Sequence, residues 1–192
     1  MQATAFLHDP GRWADPVLAA DWFVPGLDPA TVRALLVSPR TAARASRLLA
    51  EKLGAGDWEA VPEVDRALLL AGPGRLSTVV SLAGAVWHAG RVRALVLGAD
   101  IAALAARHGE GARRAAMRHA ALASTPQGVT DASALAEDIA RDGAACVGHW
   151  TDSLPAWASA RLGLIWPRCA PTLPDAALAA RIVRAVAPMA GA

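Results

Sequence analysis

The sequence holds no tyrosine, two phenylalanines, two cysteines and, among 19 Lys and Arg residues, a single lysine, Lys52. Two cysteines, Cys146 and Cys169, give no disulfide framework pattern. Each lies among apolar residues and reads as a small buried hydrophobe. Alternating β-branched runs are also missing, which removes the main signal for strands. Leu76 to Gly90 is the longest uncharged segment of the apolar centre. It contains His88 and falls short of the roughly 18–20 residues that span a bilayer. No basic segment followed by an apolar run opens the chain, so a secretory signal is not expected and the chain reads as cytoplasmic. The net charge of +2 is too small to imply nucleic acid or a membrane surface as a partner.

What is present is an apolar, alanine-rich chain. Of 192 residues, 54% are apolar, enough for a real core and too many for disorder. One domain over 1–192 is expected, with a candidate lobe boundary in the loop near 124–130. Leu76, Val79, Val80, Ala83, Val86 and Trp87 recur at helical spacing, and Leu82 and Ala85 make the opposite face apolar too. Such a helix must be wrapped by others. The fold class is all-α: a compact multi-helical domain around a buried central helix.

Punctuation sets the other elements. Asp28-Pro29 and Ser38-Pro39 each pair an N-cap residue with a first-turn proline, so each predicts a helix start, the second helix ending at Gly54. Asp9-Pro10 and Asp15-Pro16 predict turns or helix starts, and Pro62 a short helix ending near Ala71. Gly72-Pro73-Gly74 predicts a loop. Short helices are expected over 91–97, 100–108 and 110–123, and a long one over 131–152. The long helix carries Leu135, Ile139, Gly143, Cys146 and Trp150 on one stripe and a Glu137–Arg141 pair outside. Pro155 and Pro167 bracket a short helix, and a last one covers 175–187.

Catalytic motifs fail on inspection. GxGxxG would need glycine where Ser77 stands, and no GK[ST] follows. His108-Gly109-Glu110 has the H-x-E spacing of zinc deaminases without the P-C-x-x-C pair that holds the metal. Cys146 and His149 fall at i,i+3 and offer two ligands where zinc needs three or four. His88, His119 or Cys169 would have to complete such a site through the fold. A small helical metal-binding protein or enzyme, using His88, His119, Cys146 and His149, is therefore the alternative reading.

Charge alternates along the chain. Residues 1–30, 53–75 and 124–152 are net acidic, and 31–52, 76–123 and 153–192 net basic. Arg40, Arg44 and Arg47 fall at i, i+4 and i+7, and Arg107, Arg114 and Arg118 at i, i+7 and i+11. Each set is either a solvated face or a surface for an acidic protein partner. Of seven tryptophans, Trp87 and Trp150 sit on buried stripes, while Trp13, Trp22, Trp58 and Trp166 lie near loops or prolines, where such rings often anchor interfaces.

Leu76, Leu82, Gly84 and His88, continued by Val92-Arg93, Leu95-Val96, Gly98, Ile101, Leu104 and Gly109, form a motif. With a second stretch, Pro155-Ala156-Trp157, Arg161-Leu162, Leu164 and Pro167, and with Phe6-Leu7 and Pro10, it resembles the SctK (YscK- and PscK-like) family of bacterial type III secretion systems. That family's His-Gly is His88-Ala89-Gly90 here. The resemblance implies a helical, non-enzymatic accessory protein of the sorting platform, without cofactors, at the cytosolic face of the inner membrane. Implied partners are the cytoplasmic domain of an SctD-like ring protein and an SctQ-like pod protein, and indirectly an SctL-like stator and an SctN-like ATPase. His88, Gly90, Arg93, Trp157 and Arg161 carry over as structural residues, with His88 expected to cap a helix end through its imidazole.

Overall fold

Every regular element in the computed structural model is a helix, and no strand occurs among the described residues, 3–124, 131–169 and 172–191. In chain order the helices are α1 (Ala3–His8), α2 (Pro16–Phe23), α3 (Pro29–Val37), α4 (Ala42–Leu53), α5 (Glu63–Leu69) and α6 (Pro73–Trp87). They continue with α7 (Ala89–Ala94), α8 (Gly98–His108), α9 (Glu110–Arg118), α10 (Ala132–Asp152), α11 (Ala156–Leu162) and α12 (Ala176–Val186). Short 3-10 turns follow α1, α9 and α12. The all-α expectation holds.

The chain divides into two compact units, 1–73 with 154–168, and 74–153 with 169–192. Residues 125–130, most of the expected lobe boundary, lie outside the described residues.

The first unit is built on capped starts. Asp15 accepts from the N–H groups of Val17 and Leu18, and Asp28 from Thr31, each ahead of a first-turn proline. Ser38-Pro39 does not start α4. Ser38 donates its N–H to Ala34 and so ends α3, and α4 begins only at Ala42, with Thr41 bonded back to Leu35. Gly54 then ends α4 as expected, at φ 74°, a left-handed conformation that glycine adopts without strain. Ala19, Ala20, Val32, Leu49, Leu53 and Leu164 form this unit's core, with Trp13 and Trp22 packed on it. Trp58 meets Phe6 at 5.7 Å between ring centroids and Trp157 at 6.5 Å, so these rings are engaged within the unit.

In the second unit α6 is the buried axis. From Leu82 to Ala89 every residue is buried, as its two-sided apolar pattern requires. Gly72-Pro73-Gly74 is not the loop predicted, since α6 already begins at Pro73, a residue suited to a first helical turn because it needs no N–H partner there. The long helix α10 crosses α6 where both carry glycine. A Cβ on Gly84 would overlap the carbonyl oxygen of Ile139, and one on Gly143 would overlap that of Val80. The two backbones therefore touch directly. Around this crossing, Ala85, Ala89, Val92, Leu104, Ala112, Ala116, Leu135 and Ile139 close the core. Trp87 and Trp150 are buried as expected, and α12 buries Ile182, Val183 and Val186.

Candidate functional site

The glycine crossing delivers charged residues to the interior. Gly84 stands one turn before His88, and Gly143 next to Asp142, so the contact at the glycines sets the imidazole against the carboxylate. His88 Nε2 lies 2.8 Å from Asp142 Oδ2, with both side chains almost fully buried. On the other side of the ring, Nδ1 faces Arg91 Nη1 at 3.3 Å. A guanidinium only donates, so Nδ1 is the acceptor, and Nε2 carries the proton given to Asp142. The network continues outward. Arg91 donates to Asp138 at 2.8 Å, Arg141 pairs with Asp138 at 2.7 Å, and Arg141 Nε donates to Asp142 at 2.8 Å.

His88 stands at the junction of α6 and α7 and does not cap the start of α7 with its side chain. Its Nε2 meets a carboxylate on α10, reached because α6 and α10 approach so closely. The pair resembles the orientation of a general base by a carboxylate, but the opposite nitrogen is turned toward a guanidinium rather than a hydroxyl or thiol. The geometry fastens α6, α7 and α10 together. The expected Glu137–Arg141 pair is replaced as well: Arg141 serves Asp138 and Asp142, and Glu137 stands 4.0 Å from Arg107.

Burial pulls the pKa of His88 below the ordinary histidine value, with the Asp142 hydrogen bond opposing it. His108, whose Nε2 contacts the Ala136 carbonyl oxygen at 2.9 Å, is lowered by burial too. The Arg91 hydrogen bond holds the Asp138 carboxyl below the usual range. As pH falls through about 6.5, unfolded histidines take up protons that the folded ones resist. Stability is therefore full above that pH and declines below it toward the folded-state values. Urea unfolding at several pH values is expected to show this decline, and His88→Gln, which keeps a donor for Asp142, to make it shallower. Equal slopes would assign the decline to other groups.

The first unit holds a second buried cation. Arg161, 2% exposed, has no ion-pair partner among the described residues. It donates instead to the carbonyls of Gly54 at 2.8 Å and Leu7 at 3.1 Å, with longer contacts to Leu53 and Trp157. Leu53 ends α4, Gly54 caps it and Leu7 lies in the last turn of α1, so the guanidinium sits at the negative ends of two helices. Burial lowers its pKa below the ordinary arginine value. The Trp157 ring lies 5.5 Å from the guanidinium carbon and rests on Gly56, where a Cβ would collide with it.

The surface candidates divide differently from the sequence pattern. Arg44 and Arg47 are exposed on α4, while Arg40 stands in the turn before it, so the three do not share one helix. Arg107 closes α8, and Arg114 and Arg118 belong to α9 beyond Gly109, whose φ of 81° separates the helices. All six are exposed, and apart from the long Arg107–Glu137 contact none forms an ion pair with a described residue. Arg93 is exposed on α7, and Gly90 is half-buried within it.

The histidines and cysteines do not converge. Among the described residues no group of three His, Cys, Asp or Glu side chains could hold a metal ion. His149 contacts the Leu173 carbonyl oxygen at 3.1 Å, and burial pushes the Cys146 thiol up to about 12, far from a thiolate ligand. No described helix is long and apolar enough to cross a membrane.

The chain is similar to nodulation protein NolU. The match, to NolU of Rhizobium fredii and of Sinorhizobium fredii (strain NBRC 101917 / NGR234), is 34% identical over 132 residues. It covers 68% of this chain and 61% of the length of those proteins. No family model and no solved structure matches the chain.

Sequence reasoning missed Asp138, Asp142 and Arg91, and gave Arg141 a different partner, Glu137. One signal was there to read: Asp142 follows Leu135 by seven residues and so falls on the apolar stripe of α10, where a lone carboxylate must find a buried partner.

Proposed function

We propose that the chain is a non-enzymatic adaptor of a type III secretion sorting platform. It links the cytoplasmic domain of an SctD-like ring protein to an SctQ-like pod protein, and through the latter an SctL-like stator and SctN-like ATPase, so that effectors are exported. It acts in the cytoplasm, meets the membrane only through its partners, and binds no nucleic acid. The observation that carries this reading is the similarity to NolU, joined to the SctK-like motif over Leu76–Gly109.

An adaptor needs rigid supports and separate charged faces rather than a reaction centre. The ion network on α6, α7 and α10 and the Arg161 cradle supply rigidity in one unit each. The exposed arginines of α4 lie in the first unit and those of α8 and α9 in the second. Rim charges of this kind act mainly on specificity and association rate.

The charge reversal Arg40→Glu, Arg44→Glu, Arg47→Glu tests the assignment. Pull-down with the ring-protein domain is expected to lose about ten-fold in affinity, three reversed pairs at about half a kcal/mol each reaching the roughly 1.4 kcal/mol that this factor requires. Pod-protein binding is expected to stay unchanged. Unchanged binding to both removes this face from the model.

A further inference from the structure

The second unit carries an apolar surface that its own core leaves uncovered. Its buried side is fixed: Ala112, Ala115 and Ala116 of α9 and Leu104 of α8 face inward. That orientation turns the remaining faces of the two helices outward, and a groove of about 350 Å³ runs between them. Ile101, Leu104 and Ala105 line it from α8, and Arg113, Arg114 and Met117 from α9. Just ahead of α8, in the extended segment that leads into it, Val96 is 84% and Leu97 64% exposed. Met117 is 48% exposed. Consecutive large apolar residues left this open on a folded unit mark a surface that another molecule covers.

The rim states the partner's charge. Arg113 and Arg114 are exposed and have no ion-pair partner among the described residues, and Arg118 stands one turn beyond Arg114. Glu110 is the one acidic residue lining the groove. We infer that the α8–α9 groove docks an amphipathic helix of a protein partner, its apolar face on Ile101, Ala105 and Met117 and its flanking carboxylates on Arg113 and Arg114. A helix fits because two neighbouring helices already form the trough, and a third completes the packing through anchors at i, i+3, i+4 and i+7. Methionine at the mouth adapts to the shape of the anchors.

This inference rests on the adaptor reading for its protein partner, and its test separates the two. The probes are two helical peptides with the same leucine face, one flanked by glutamates and one by lysines, titrated into the full-length protein with methyl resonances observed by NMR. The glutamate peptide is expected to shift the Ile101, Ala105 and Met117 methyl signals and to saturate, and the lysine peptide to bind about ten-fold or more weakly. Arg113→Glu with Arg114→Glu is expected to reverse that preference. Both residues are exposed, so folding should be unaffected, and circular dichroism of the variant checks it. Equal binding of both peptides, or no shifts at these methyls, overturns the inference. If the groove binds the peptide while the ring and pod proteins do not bind the chain, the groove stands and the adaptor reading falls. If those proteins bind the double variant as well as the wild type, the adaptor reading stands and the groove falls.

Discussion

Gly84→Ala is expected to destabilise the protein by about 3–5 kcal/mol, lowering the Tm by about 6–20 °C. The added methyl would enter the volume of the Ile139 carbonyl oxygen. Backbone cannot swing aside as a flexible side chain can, so α6 and α10 must separate. Separation acts twice, because it also opens the bond between His88 and Asp142. Gly143→Ala meets the Val80 carbonyl oxygen from the opposite side and should cost a similar amount. Calorimetry of both variants, with Gly74→Ala as a control where a Cβ meets nothing, checks the argument. A Tm within about 2 °C of wild type for Gly84→Ala would mean that the helices do not cross at the glycines.

Arg161→Met is the second large effect, at about 3–5 kcal/mol by urea unfolding. Methionine fills much of the space and removes the buried charge, which alone would stabilise. It also takes away the donors of the Gly54 and Leu7 carbonyls, and that loss dominates because both bonds come from a charged donor. Arg161→Lys should recover less than half of the loss. An ammonium is compact and cannot span carbonyls presented by two helix ends, as the planar guanidinium does. Full recovery with lysine would show that charge alone matters and that the geometry of the cradle does not.

Much of this architecture was legible because it depends on local signals. Asp28-Pro29, Asp15-Pro16, Pro62 and Gly54 act within one turn, and each marks a helix end where it was read. The two-sided apolar pattern from Leu76 to Trp87 could only suit an axis buried by neighbours. Ser38-Pro39 and Gly72-Pro73-Gly74 were misread because the same residues serve either side of a boundary. Serine can end one helix as readily as begin the next, and proline after glycine can open a helix rather than interrupt the chain.

The site was less legible, and the reason is distance along the chain. His88 and Asp142 are 54 residues apart, and Arg161 and Leu7 are 154 apart. No periodicity encodes such pairings. The arginine sets were found as patterns, but spacing alone does not register a helix break, so Gly109 falls between Arg107 and the other two. The α8–α9 groove was not visible because Ile101 looks like an ordinary core position, as its neighbour Leu104 is, until the helices are placed.

The adaptor account is tested most directly by mixing the purified full-length chain with the SctD-like cytoplasmic domain and the SctQ-like pod protein from the same bacterium. Size-exclusion chromatography with light scattering then reads the assembly. The account predicts one peak containing all three proteins, and no association of the ring-protein domain with the pod protein when this chain is left out. Three separate peaks at tens of micromolar protein would contradict it.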